Sequence, residues 1–191
     1  GMSCPNRDGR IGTGGCIFCS EGGSGDFASS SLLSVKNQID YGIEKISKKY
    51  AGDSYIAYFQ AFTNTYAPVD RLKKIFTEAI QDNRICGLSI ATRPDCLEDD
   101  KIELLAELNR IKPVWIELGL QTINETTARY IRRGYPLAVF EDTVARLNDV
   151  DIPIVVHVIV GLPGENTNDN LACAKYLSHL NICLLYTSDA A

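Results

Sequence analysis

The sequence predicts an α/β protein built on a parallel sheet. Short apolar runs with strand character alternate with segments whose apolar residues recur every three to four positions. Polar residues or glycines close each run, and the strand ends are where a parallel sheet presents its site. A closed eightfold barrel, at about 250 residues, needs more chain than this. An open, curved partial barrel and a doubly wound sheet both satisfy the pattern.

Taken in order, Ser34 is a suitable N-cap, and Val35, Ile39, Ile43 and Ile46 recur at helical spacing to about residue 50. Residues 54–62 are rich in aromatics and read as a buried strand. Leu72, Ile75, Phe76, Ala79 and Ile80 form the next helical stripe, and residues 87–92 a short strand that Pro94 ends. Ile102, Leu105 and Leu108 mark another helix, with Glu98, Asp99 and Asp100 where the helix dipole favours acids. Residues 114–120 are the third strand. A short helix reaches Arg132, and a longer one over 137–148 buries Phe140, Val144 and Leu147. Residues 152–160 make the clearest buried strand, and 161–165 its exit loop. Leu171, Ala174 and Leu177 lie on the last helix. Residues 182–186 are either a strand or part of a foreign tail.

The chain of 191 residues fits one domain and can bury a substantial core. Hydrophobic residues make up 45% and charged residues 23%, a globular composition. A net charge of −5 gives no global electrostatic footprint for nucleic acid. No apolar run approaches the roughly 20 residues that span a bilayer, and no secretory signal precedes the first cysteine. Seven cysteines, an odd number in a chain with its own core, point to reduced thiols and the cytoplasm.

Three of those cysteines, Cys4, Cys16 and Cys19, share one loop with interleaved glycines and a proline, so it is neither helix nor central strand. Converging thiolates suit zinc or an iron–sulfur cluster. A structural zinc site normally closes with four protein ligands, and no fourth thiol lies nearby. Three ligands leave one position open. A zinc-bound interaction or nucleic-acid module would have to recruit Cys86, Cys96 or a histidine. Residues 21–27 form a second glycine-rich run, a surface loop or a mobile wall over the metal centre.

The text SCPNRDGRIGTGGCIFCSEGGSGDFA, from Ser3 to Ala28, resembles the cluster loop of radical S-adenosylmethionine enzymes. It is similar to a bacterial subfamily of radical S-adenosylmethionine proteins related to the catalytic subunit of Elongator and to oxygen-independent coproporphyrinogen dehydrogenase. The resemblance implies the α/β partial (open) parallel β/α barrel of that family, lacking its first strand. It covers residues 1–182 as an incomplete core domain. Residues 183–191 depart from the family and read as a non-native tail.

The same resemblance implies a 4Fe–4S cluster on Cys4, Cys16 and Cys19, with S-adenosylmethionine on the fourth iron. It places Phe18 beside that cofactor. In related enzymes a glycine-rich turn after the first visible strand binds the methionine amino group; here backbone carbonyls, Thr63 and Asn64 stand instead. Gln121 and Arg133 match a glutamine and an arginine that contact the cofactor, Arg133 offering its fork to the carboxylate. His157 matches a position facing the ribose, and Ile159 and Gly161 would sit against the adenine. Period-two geometry puts Glu117, Gly119 and Gln121 on one face, and a buried carboxylate at 117 needs partners. The implied partners are an electron donor such as flavodoxin or ferredoxin and a substrate, with tRNA a candidate. Arg93 could pair with a carboxylate of cofactor or substrate, or with Asp95.

Overall fold

The computed structural model describes residues 2–25 and 28–189. Gly1, Asp26 and Phe27 of the second glycine-rich run, and Ala190 and Ala191 of the predicted tail, lie outside them. In chain order the elements are α1 (Val35–Ser47), β1 (Tyr55–Phe59), α2 (Val69–Ile80), β2 (Ile85–Thr92), α3 (Asp99–Asn109) and β3 (Val114–Gln121). There follow α4 (Glu125–Tyr130), α5 (Leu137–Asn148), β4 (Ile154–Val160), α6 (Thr167–Leu177) and β5 (Leu184–Asp189). A single 3-10 turn, Pro94–Cys96, follows β2.

The five strands pair in parallel, in sequential order β1-β2-β3-β4-β5. That order decides between the two architectures. A doubly wound sheet reverses direction at a switch point and so carries helices on both faces. A sheet that always advances the same way, with right-handed crossovers, keeps its helices on one face and curls around the other. The protein is therefore a curled α/β half-barrel.

β3 shows the two faces most clearly. Val114, Ile116, Leu118 and Leu120 are fully buried against the helices, whereas Trp115, Glu117, Gly119 and Gln121 look into the lumen. Leu72 and Phe76 of α2, Leu105 of α3, and Phe140 and Leu147 of α5 complete the helix-side core. The caps are those the local sequence allows. The Ser34 hydroxyl accepts from the Asn37 amide, Asn124 from those of Thr126 and Thr127, and Asn166 with Asp169 forms a capping box.

Two predicted elements differ. The helix expected to reach residue 50 stops at Ser47 and has no fully buried residue. Val35 and Ile39 pack against the core, but Ile46 is exposed, because α1 lies beyond the first strand and rests on α2. The first strand ends at Phe59, not residue 62. Phe62 takes a positive φ of 64° there, turning the chain across the strand end. β5 pairs with β4 along its length, yet all six of its residues are exposed.

The buried face sets a contrast in stability. Replacing Leu118 by alanine should lower unfolding free energy by about 2–5 kcal/mol in urea titrations. Replacing Ile46 by serine should change it by no more than about 0.5 kcal/mol.

Candidate active site

The C-terminal ends of the strands and the cysteine loop enclose a cavity of about 560 Å³. Cys4, Cys16 and Cys19 all line it. So do Phe18 from the loop, Thr63 after β1, Glu117 and Gln121 of β3, Arg133 after α4, and His157 and Ile159 of β4. Two predicted site residues stand outside the lining. Asn64 turns its amide inward and donates to the carbonyls of Phe59 and Ala91, each at 2.9 Å, tying the ends of β1 and β2 together. Gly161 carries the chain out of β4 at φ +80°, and Leu162 and Pro163 beyond it close the cavity instead.

The cysteine loop is held from both sides. The Arg7 guanidinium donates to the carbonyls of Cys19, Ser20 and Glu21 and lies 5.6 Å above the Phe62 ring. Asn6 is buried; its amide donates to the Arg132 carbonyl at 2.6 Å and to Cys16 Sγ at 3.4 Å. Gly15 follows at φ +71°, where a β-carbon would stand 2.9 Å from Arg7 Nε. On the other wall Gly23, at φ +65°, lies so close to Phe62 that a β-carbon would come within 2.5 Å of the ring. These contacts explain one glycine of the cysteine loop and one of the second glycine-rich run as close approaches, not as slack.

The Cys16 thiol is pushed above its ordinary value, chiefly by burial and then by the like charges of Cys4 and Cys19, while Asn6 and Arg93 pull the other way. Sulfurs that feel one another in this manner gain from a positive centre among them, which favours their thiolate forms. Among the described residues, no three Cys, His, Asp or Glu side chains stand close enough to hold one metal ion. Zinc–sulfur bonds of about 2.3 Å would require sulfurs about 3.8 Å apart. Cysteine thiolates are the donors that iron–sulfur clusters take, so the donor type fits a cluster, and the single-ion alternative gains no support.

Behind the cysteines lies a buried guanidinium layer. Arg133 is 1% exposed. Its Nε donates to the Tyr135 carbonyl, Nη1 to those of Leu120 and Thr122, and Nη2 to Glu125 Oε1. Those four bonds leave one of its five N–H groups for a ligand. The fork predicted for a carboxylate is thus largely engaged in holding the bulged exit of β3, where Gln121 sits at φ 68°. Tyr135 reinforces the bulge through a hydroxyl bond to the Gly119 carbonyl, and its ring lies under both Arg93 and Arg133. Arg93 does pair with Asp95, bidentately at 2.8 and 2.9 Å, but as a buried group that also donates to the Arg133 carbonyl.

On the lumen floor the Glu117 carboxylate accepts from the Tyr58 hydroxyl at 2.9 Å, from the Ser89 hydroxyl, and lies 2.7 Å from His157 Nε2. Burial would raise its pKa, but bonds from His157, Ser89 and Tyr58 outweigh that and hold it below the ordinary value. Tyr58 and Ser89 went unrecognised in the sequence. The usable signal was period two: Tyr58, Ser89 and Glu117 share the lumen side of three neighbouring strands. Asn6 and Arg7 were missed as well, although both belong to the cysteine motif itself.

Together these features define a parallel α/β half-barrel with a three-cysteine loop closing over its strand ends. The family model described as "Radical SAM superfamily" matches residues 7–177. The uncharacterized protein YtqA of Bacillus subtilis is 43% identical over 182 residues, covering 95% of this chain and 56% of YtqA. The tRNA uridine(34) acetyltransferase of Methanocaldococcus jannaschii is 30% identical over 88 residues, covering 44% of this chain and 15% of that protein. Among solved structures, Elp3 of Methanocaldococcus infernus superposes with a TM-score of 0.68 at 19% identity, covering 83% of this chain and 42% of Elp3. Coproporphyrinogen III oxidase (HemN) of Escherichia coli, a radical SAM enzyme, superposes with a TM-score of 0.64 at 18% identity, covering 93% of this chain and 41% of HemN.

The chain belongs to the radical SAM superfamily, a class of enzymes. It spans about half the length of YtqA, 56%. Among the described residues, no helix is long and apolar enough to cross a membrane.

Two outcomes follow for the site. Arg133→Met removes the donor to the Tyr135 and Thr122 carbonyls, while that of Leu120 keeps the Thr122 amide; it should cost about 3–5 kcal/mol of stability in denaturant titrations. Glu117 has a depressed folded pKa, so its contribution is present above the ordinary carboxyl value of 4.5 and is lost as pH falls through the lower folded value. Glu117→Ala should therefore flatten the loss of stability measured between neutral pH and pH values below 4.5.

Proposed function

We propose that the cavity binds a 4Fe–4S cluster and S-adenosylmethionine, and that the protein is a radical enzyme. The observation that carries this reading is that the three cysteines and the polar strand ends line one cavity. Cys4, Cys16 and Cys19 would hold three irons, leaving the fourth for the amino and carboxylate groups of S-adenosylmethionine. Held by these three cysteines, such a cluster would supply the one electron, drawn from an external donor, for reductive cleavage of S-adenosylmethionine and so for radical hydrogen abstraction from substrate.

The chain's own part is ligation, orientation and exclusion of water. Asn6 and Arg7 hold the cysteine loop at its working curvature. The Arg133–Tyr135 layer holds the β3 bulge and so presents Gln121 to the cofactor. Phe18, Thr63 and Ile159 form walls against it. His157 faces the ribose, and Asn64 and Gly161 act from behind the lining, through the strand ends they shape.

The core domain is read as residues 1–182, and residues 183–191 as a foreign tail. A reducing cytoplasm suits seven free cysteines. The electron donor would be a flavodoxin or ferredoxin. The substrate class put forward is tRNA, supported by the relative named as a tRNA uridine(34) acetyltransferase. The net charge of −5 lends it no support, so such binding would depend on a local surface or on further chain.

Anaerobic reconstitution of an extended chain should give a brown protein with about four irons and four sulfides, and 5′-deoxyadenosine on addition of reductant and S-adenosylmethionine. Cys16→Ala should abolish that product. A colourless protein carrying one tetrahedral zinc would overturn the reading.

A further inference from the structure

The floor of the cavity joins four strands through one carboxylate. Glu117 stands in β3; its Oε2 accepts from the Tyr58 hydroxyl of β1 at 2.9 Å and lies 2.7 Å from Nε2 of His157 on β4. Its Oε1 accepts from the Ser89 hydroxyl of β2. The carboxylate side chain is 14% exposed and the imidazole 26%, so both are largely shielded from bulk water. With hydroxyls fixed on both oxygens, the carboxylate plane cannot turn without breaking a bond. An ionised carboxylate has no proton to give, and Glu117 is held ionised. The nitrogen facing it must then carry the proton. In a neutral ring the other nitrogen, Nδ1, is left with its lone pair.

We propose that Glu117 is a positioning residue that locks His157 in the Nε2–H tautomer, making Nδ1 a fixed acceptor for a hydroxyl-bearing ligand in the cavity. The ligand half of this rests on the reading that S-adenosylmethionine binds here, its ribose hydroxyls being the donors. The lock itself does not depend on any cofactor. Three strands contribute to a geometry that only the fourth uses: Tyr58 and Ser89 aim the carboxylate, and the carboxylate aims the imidazole. A second consequence is directional. Both hydroxyls must donate toward Glu117, so the floor presents acceptors, not donors, to whatever lies above it.

The lock is read by long-range proton–nitrogen NMR on the chain without cluster, recorded above about pH 8, where an ordinary imidazole is neutral. The chain has two histidines, and His179→Asn assigns the remaining signal. The expected spectrum shows Nε2 protonated, with a downfield, slowly exchanging proton, and Nδ1 bare. Glu117→Ala should abolish that downfield signal, whereas Tyr58→Phe should keep it. A wild-type ring protonated on Nδ1, or on both nitrogens, overturns the lock, and needs no variant to fold. An unchanged signal in Glu117→Ala overturns it equally.

The ligand half is tested by titrating S-adenosylmethionine into reconstituted protein. Glu117→Ala should weaken binding about tenfold, the scale of one lost hydrogen bond. Equal binding would overturn the ligand-facing role. Failure of the wild type to bind S-adenosylmethionine would instead count against the cofactor reading and leave the NMR result standing.

Discussion

A parallel sheet with all its helices on one side has a second face that no helix will cover. The rest of this structure depends on how that face is managed. Sequential strand order makes the exposed face concave, and a concave face lined only by apolar side chains would stay an unfilled hydrophobic hollow. Here the lumen carries polar groups that satisfy one another sideways, strand to strand. Glu117 is the largest example, with donors from β1, β2 and β4. A lone carboxylate at that depth would be expensive; three donors make it tolerable and give the lumen a charged floor.

The open end of the lumen is closed by loops, and loops need fixed anchors to hold a geometry. The cysteine loop takes its anchors from backbone carbonyls more than from side-chain pairs. Arg7 gathers three carbonyls of its own loop, and Asn6 reaches the carbonyl of Arg132. Arg133, at the next position, reaches back to the β3 exit. One short segment after α4 therefore links the thiols in front to the strand end behind. Movement of that segment would disturb both together, and the fully buried Arg133, its desolvation offset by four hydrogen bonds, ties it to the strand end.

Much of this was legible in advance. Strand and helix alternation is written in local periodicity, and β3 and β4 were placed within a residue or two. Cys4, Cys16 and Cys19 could be singled out because thiols spaced along a glycine-rich loop have few other uses. Less legible were residues whose meaning depends on a distant partner. Asn64 has the composition of a ligand-binding turn residue, yet its amide is consumed by two strand-end carbonyls. Arg133 has the charge to hold a carboxylate, but the bulge beside it claims most of its donors. Ile46 continues an apolar stripe that, at the edge of the sheet, has nothing to face.

What the amino-acid order alone determined was the elements as far as α6, the parallel class and the placing of three cysteines on one glycine-rich loop, since the elements and the loop rest on patterns within about a dozen residues and the class on their alternation. Periodicity alone left open whether the sheet curls or reverses; the family resemblance implied the curl, the strand order bears it out, and only the tertiary structure decided which polar residues meet. Strand order is a matter of how crossovers stack, and no local pattern records it. Glu117 and His157 are forty positions apart, and Tyr58 is farther still from both; their proximity arises only when neighbouring strands settle into register.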